Sequence, residues 1–231
     1  MDHKESCMIC GKPLVYTKEV QTAKCEICGK TAETHATCKD YHFVCDECHG
    51  KGGIAVILNI CKDSESKDPI FLLQQMMAEE AIHMHGPEHH MMVGAALITA
   101  FANSGGVIDK EKALTEMIRR GSRYPGGSCG FWGCCGAAAS TGMFFSIITE
   151  TTPLSTKTWG QANAMTSEVL RAIAAHGGPR CCKRNSFTAA VTAVKFIEKQ
   201  LHIKMELPET ILCDYSALNK ECIGDRCPYH K

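Results

Sequence analysis

From position 68 onward, apolar residues recur at helical intervals, and the breaks between them fall at glycine and proline. "DPIFLLQQMMAEEAIHM" predicts a helix with Asp68 as its cap and Pro69 in its first turn. "PEHHMMVGAALITAFAN" starts a second helix after the Gly86-Pro87 break. "DKEKALTEMIRRG" is framed by Asp109 as cap and Gly121 as stop. "FWGCCGAAASTGMFFSIIT" is apolar and rich in small residues, so it is expected to pack centrally. "TKTWGQANAMTSEVLRAIAAHGG" ends at Gly177-Gly178, and "RNSFTAAVTAVKFIEKQL" puts Phe187, Val191, Val194 and Leu201 near one face. Strand-like alternation is sparse, at Leu14–Val20 and near Ile203–Glu206. The last nineteen residues have no period at all, only Cys213, Cys222 and Cys227, so something must pin them. The pattern predicts a mainly α protein: a helical domain over residues 56–231 behind a small β module over residues 1–55.

That module reads C-x2-C-x14-C-x2-C-x9-C-x3-H-x2-C-x2-C from Cys7 to Cys48. "CMICGK" and "CEICGK" have the form of zinc knuckles, in which a glycine tightens the turn and aims backbone N–H groups at the thiolates. Cys25 and Cys28 on a knuckle, followed by Cys45 and Cys48 at a helix start, give a treble-clef zinc spacing. Cys7, Cys10, Cys38 and His42 would then form a second, cross-braced site. The alternative pairs the two knuckles and leaves Cys38, His42, Cys45 and Cys48 together, with His35 and His49 as spare ligands. Some forty residues cannot bury a self-sufficient core, so a structural role for the metal is the plainest one.

Composition adds one unusual number. Of 231 residues, 22% are charged and the net charge is zero, which gives no electrostatic case for nucleic acid or a membrane surface. No apolar run approaches the roughly 18 residues of a spanning helix. The opening "MDHKESCMICGK" lacks the apolar stretch of a secretory signal, so a cytoplasmic protein is expected. Cysteine, however, occurs sixteen times, eight of them within residues 1–61 and eight within 129–227. In a reducing compartment that count points to metal ligation or thiol chemistry rather than disulfides.

Four segments between the helices carry the reactive side chains. In "HMHGPEHH", His85, Glu88 and His89 are candidates for metal or acid–base work, and consecutive histidines cannot share one helix face. "YPGGSCGFWGCCGAAASTG" sets Cys129, Cys134 and Cys135 among glycines; Gly126 and Gly127 leave room for a ligand near the backbone. In "GGPRCCKR", Cys181 and Cys182 fall at a helix start among Arg180, Lys183 and Arg184, all of which favour thiolate. These two cysteines read as metal ligands or redox thiols, and Arg180 and Lys183 as holders of a small anionic substrate or cofactor. The tail's Cys213, Cys222 and Cys227-Pro228 resemble iron–sulfur ligation, although C-x8-C-x4-C-P is not a standard spacing.

"HGPEHH", "PGGSCGFWGCCGAAASTG", "WGQANAMTS" and "GGPRCCKR" together resemble the domain-of-unknown-function 5714 family over about residues 55–205. The resemblance implies an anaerobic setting and kinship with proteins joined to methyltransferase-like or radical-type domains. Cys134-Cys135-Gly136 also resembles the CCG domain of heterodisulfide reductases, but the second pair is followed by lysine and the expected C-x-x-C is missing. The resulting expectation is a metal- or iron–sulfur-dependent enzyme or enzyme accessory of anaerobic sulfur, one-carbon or cofactor metabolism. It would carry zinc in the N-terminal module and a second metal or cluster among Cys129, Cys134, Cys135, Cys213, Cys222 and Cys227. The alternative is a non-catalytic zinc-containing adaptor or metal or sulfur carrier that docks on a partner enzyme. An apolar face from Met76/Met77 or Met91/Met92 would favour the adaptor.

Overall fold

The computed structural model describes residues 7–231. An antiparallel hairpin opens the chain: β1 (Leu14–Lys24) pairs with β2 (Thr31–Cys38), with a register break between Tyr16 and Gln21. Both strands are longer in sum than the one predicted over Leu14–Val20. The alternation in β2 is masked by its threonines, which suit a strand but carry no apolar signal. Among the described residues nothing pairs as a strand at Ile203–Glu206, where a single Glu206 N–H donation to Lys67 O ties the chain down.

Eight α-helices follow. α1 (Asp46–Asp63) begins immediately after Cys45 and runs through position 55, so the module and the helical part share one helix. α2 (Pro69–Ala78) starts as its sequence predicts, with Asp68 Oδ1 accepting from Ile70 N at 2.8 Å. α3 (His89–Asn103) is buried on every side from Met91 to Phe101, which is why its sequence is apolar without being amphipathic. α4 (Lys110–Gly121) shows the opposite pattern, with only Ala113, Leu114, Met117 and Gly121 inward. α5 (Ser128–Phe131) is a single turn, and α6 (Gly136–Ile148) follows it. The predicted continuous helix from Phe131 is therefore interrupted at Gly133, whose φ of 65° no helix accommodates.

α7 (Lys157–His176) and α8 (Cys182–Leu201) complete the bundle around α3 and α6. Phe187 and Val194 of α8 are buried, and Val191 and Leu201 pack beside the same core. Two short 3-10 turns lie in the tail, Ser216–Leu218 and Gly224–Arg226. Tyr229 anchors the tail's end: it stacks edge-on against Phe187, and its hydroxyl lies 3.1 Å from that of Thr188. Met76, Met77, Met91 and Met92 are all in the core, so they offer no docking face. No helix among the described residues is long and apolar enough to cross a membrane.

Candidate metal centres

The two knuckles fold alike. Gly11 and Gly29 take φ of 71° and 72°, and their N–H groups donate to Cys7 O at 2.8 Å and Cys25 O at 2.9 Å. Cys7 N donates to Lys12 O and Cys25 N to Lys30 O, each at 2.8 Å, closing identical turns. Cys25, Cys28, Cys45 and Cys48 come together as one set of donors, and Cys7, Cys10, Cys38 and His42 as another; within each set all ligand atoms lie within 4.8 Å. The treble-clef pairing is therefore the one adopted, and His35 stands apart, stacked on Phe131 at 3.9 Å.

The spacing within each set is that of donors around a single tetrahedral ion. Metal–sulfur bonds of about 2.3 Å place two sulfurs about 3.8 Å apart. Cys28 and Cys45 Sγ are 3.8 Å apart, and Cys10 and Cys38 Sγ 3.7 Å. Backbone N–H groups of Ile9, Asp40 and Cys45 point at the sulfurs of Cys7, Cys38 and Cys25 at 3.3–3.4 Å. Burial opposes ionisation of Cys25, yet the N–H groups of Cys28, Cys45 and Ile27 outweigh it and bring the thiol to about 6. Cys48 is driven the other way, by burial and then by its cysteine neighbours. Four thiolates this close need a cation among them before all can ionise. These two centres can hold a metal ion such as zinc.

The C-terminal cysteines divide differently from expectation. Cys181 caps α8, its sulfur accepting from Arg184 N at 3.4 Å, and it turns toward the tail. With Cys213, Cys222 and Cys227 it lines a small recess of about 20 Å³, shared with Tyr215, Asn219 and Tyr229. The sulfurs of this quartet are held by N–H donors. Asn219 Nδ2 and Tyr215 N reach Cys181 and Cys213 at 3.4 Å, and Gly224 N reaches Cys222 at 3.5 Å. Among the described residues the quartet is not one of the groups whose donors draw within 4.8 Å of each other.

Cys182 faces the other way. Its thiol senses the charges of Cys135 and Cys129, and its backbone N–H donates to His85 Nδ1 at 3.3 Å. Cys135 caps α6 and accepts from Asn185 Nδ2 at 3.4 Å; Cys134 lies beside Tyr124, whose hydroxyl donates to the Cys134 carbonyl. So "HGPEHH", "GGSCGFWGCCG" and the second cysteine of "GGPRCCKR" do adjoin one another. Cys129, Cys134 and Cys135 lie on this side, near Cys182, while Cys213, Cys222 and Cys227 line the tail recess with Cys181.

Burial counters the cations expected to favour thiolate at positions 181 and 182. Burial raises Cys181 despite the N–H and charge of Arg184, and burial raises Cys182 further than the Gly86 N–H and Arg180 can lower it. Lys183 is fully buried and lies over the Tyr215 ring at 4.7 Å, so it has no path to a ligand in solution. Arg180 sits over the Tyr16 ring at 4.9 Å and 4.0 Å from Glu221. Gly126 N donates to Asp46 Oδ2 at 2.7 Å, tying that loop to the start of α1, and Gly127 caps α5 at φ 80°.

The histidine motif splits as well. His85 Nδ1 accepts from Cys182 N at 3.3 Å, and its Nε2 lies 3.0 Å from Glu221 Oε2. His89 is enclosed beneath it and pushed well below the usual histidine range, by burial and then by the charge of Lys183. Glu88 is fully buried, and its carboxylate faces not His85 but His49 and His83, each 3.4 Å away. That triad also lies within 4.8 Å. His49 reads from the sequence only as a spare zinc ligand. Its position directly after Cys48, on the helix that leaves the metal centre, is the signal that could have placed it.

Fold and donor sets together define a cysteine-rich helical protein with two donor clusters at its N-terminal end that could hold a metal ion. The chain belongs to the family of unknown function DUF5714, whose model matches residues 57–230. No curated protein and no solved structure matches it.

Proposed function

We propose that the chain is an iron–sulfur accessory protein of anaerobic sulfur, one-carbon or cofactor metabolism, with zinc in its two N-terminal centres. One observation carries this reading: four cysteines from two distant parts of the chain enclose a single recess. Four cysteine thiolates are the usual ligand set of a cubane cluster, which spreads its ligands farther apart than one ion does. The N–H groups aimed at Cys181, Cys213 and Cys222 are the kind of donors that set a cluster's potential. A cluster there would supply one-electron chemistry. The protein's part is to hold it and screen it, with Tyr215 and Tyr229 as walls.

The accessory role is favoured over an enzyme because the recess is lined by the start of α8 and the tail alone. Neither "HGPEHH" nor "PGGSCGFWG" opens into it to receive a substrate. His85, held between Cys182 and Glu221, is the group best placed to accompany electron movement with a proton. The plain adaptor reading rests on Phe131 and Trp132, which are 44% and 65% exposed beside Cys129 and Cys134. Purification without oxygen, followed by iron and acid-labile sulfide analysis and electron paramagnetic resonance of the reduced protein, tests the proposal. Iron and sulfide in equal amounts support it; a chain that carries zinc alone, before and after reconstitution with iron and sulfide, contradicts it.

A further inference from the structure

We infer that His49, His83 and Glu88 bind a divalent transition-metal ion at the junction between α1 and the loop ahead of α3. The donors come from three places: the first turn of α1, the loop after α2, and the residue preceding α3. His49 Nδ1 lies 3.4 Å from Glu88 Oε2, and His83 Nδ1 3.4 Å from Glu88 Oε1. The two rings meet at 4.3 Å between centroids, tilted by 49°.

Ordinary hydrogen bonds do not account for this arrangement. A nitrogen–oxygen bond of that kind spans about 2.7–3.2 Å. Both imidazole Nδ1 atoms and Glu88 Oε2 are buried with no hydrogen-bond partner. An orphaned carboxylate oxygen with 0% exposure would be costly. A separation of 3.4 Å is, however, what two donors show when each sits about 2.1 Å from one tetrahedral ion.

The surroundings are shaped to keep the carboxylate in place. His83 N donates to Glu88 Oε1 at 2.9 Å, orienting it. A methyl group on Gly86 would come 2.2 Å from Oε2, and one on Gly53 2.9 Å from Glu88 Cβ, so both glycines leave space that the Glu88 side chain fills. Two imidazoles and one carboxylate select a borderline ion such as zinc, ferrous iron or cobalt over magnesium or calcium. The His49 and His83 side chains are partly exposed, but the atoms they turn toward Glu88 are buried, so an ion held there is screened from bulk water. Three protein donors leave one position of a tetrahedral ion without a protein ligand, in contrast to the four-donor cysteine centres next door.

The inference stands or falls separately from the cluster proposal, because none of its donors touches the tail recess. The test uses the full chain with its cysteine centres loaded with zinc, titrated with Co(II) under calorimetric and optical observation. Wild type is expected to take up one further equivalent, giving weak ligand-field bands without sulfur-to-cobalt charge transfer. His83→Ala and Glu88→Gln should each lose that equivalent, or bind it at least tenfold more weakly, while keeping the cysteine-bound zinc. His83 is in a partly exposed loop, so its variant decides the matter if the Glu88 variant fails to fold. No additional equivalent in wild type, or an undiminished one in His83→Ala, overturns the inference.

Discussion

Cys181 and Cys182 are neighbours in the chain and belong to different surroundings. Cys181, at the cap, looks along the start of α8 toward the tail; Cys182, one step around the helix, looks back toward α6 and His85. About 100° of helical rotation per residue is enough to send adjacent side chains apart. The three nearby cations are also spent inside the fold: Lys183 on Ile82 O and Tyr215, Arg184 on the carbonyls of Gly177 and Pro179, Arg180 on Tyr16 and Glu221. Charge near a thiol was legible in the sequence, but its burial was not, and burial decides the sign. At the same scale, Gly136 is a tight spot: a methyl there would come 2.1 Å from the His90 ring, which Tyr124 O holds at 3.0 Å. Gly136→Ala is expected to destabilise the fold by about 1–3 kcal/mol, as overpacking does. Urea unfolding of the variant against wild type measures it, and a difference near zero would show that the ring can move aside freely.

At the scale of elements, the caps and stops written in the sequence were reliable. Asp68, Asp109 and Gly177 begin or end their helices as their chemistry dictates, whereas Gly121 is the last residue of α4, packed against Met91, and Ser122 is the cap. The small-residue run after Cys135 was legible too: Ser140 Oγ accepts from Gly94 N at 2.9 Å, a contact that larger side chains would prevent. What the pattern could not show was the break at Gly133, because an apolar stretch looks the same whether or not one glycine turns to positive φ. α4 offers a pH test of its own. Glu116 accepts from Arg119 at 2.6 Å and from Arg120 at 2.7 Å, and the pair holds its carboxyl at about 2, below the usual 4.5. A depressed folded value means that the contribution is present above pH 4.5 and fades as pH falls toward 2. Solvent reaches these side chains, so the contribution is about 0.5–1 kcal/mol. Glu116→Gln should therefore be less stable than wild type near pH 6, and the gap should close in acid. A gap that persists unchanged at low pH would point to packing rather than charge.

For the whole molecule, the N-terminal centres act as its joint. α1 carries Cys48, then His49, then the residues that enter the core, including Ile57 and Cys61. Tyr16 meets Arg180 and His35 stacks on Phe131, so the hairpin leans on the helical part at these two points, and Asp46 at the start of α1 holds Gly126. The hairpin itself is largely exposed and has little core. Structural zinc sites contribute on the order of 10–16 kcal/mol in small peptides. Chelation, or Cys25→Ser, is expected to open residues 7–45 to proteolysis while most helical signal remains. Equal protection of that segment with and without metal would contradict this.

Both N-terminal ligand sets were legible in the sequence because each is made of close pairs at regular spacing. The tail quartet was only half legible, since its fourth member lies thirty-two residues before Cys213 and only the fold brings Cys181 to it. That assignment is also the account's central claim. The most direct measurement is the iron and sulfide content of Cys181→Ser and Cys182→Ser, each reconstituted without oxygen beside wild type. Cys181→Ser should lose most of its iron and sulfide while Cys182→Ser keeps the wild-type amount. The reverse order, or equal retention in both, would contradict the claim that Cys181, Cys213, Cys222 and Cys227 hold one cluster.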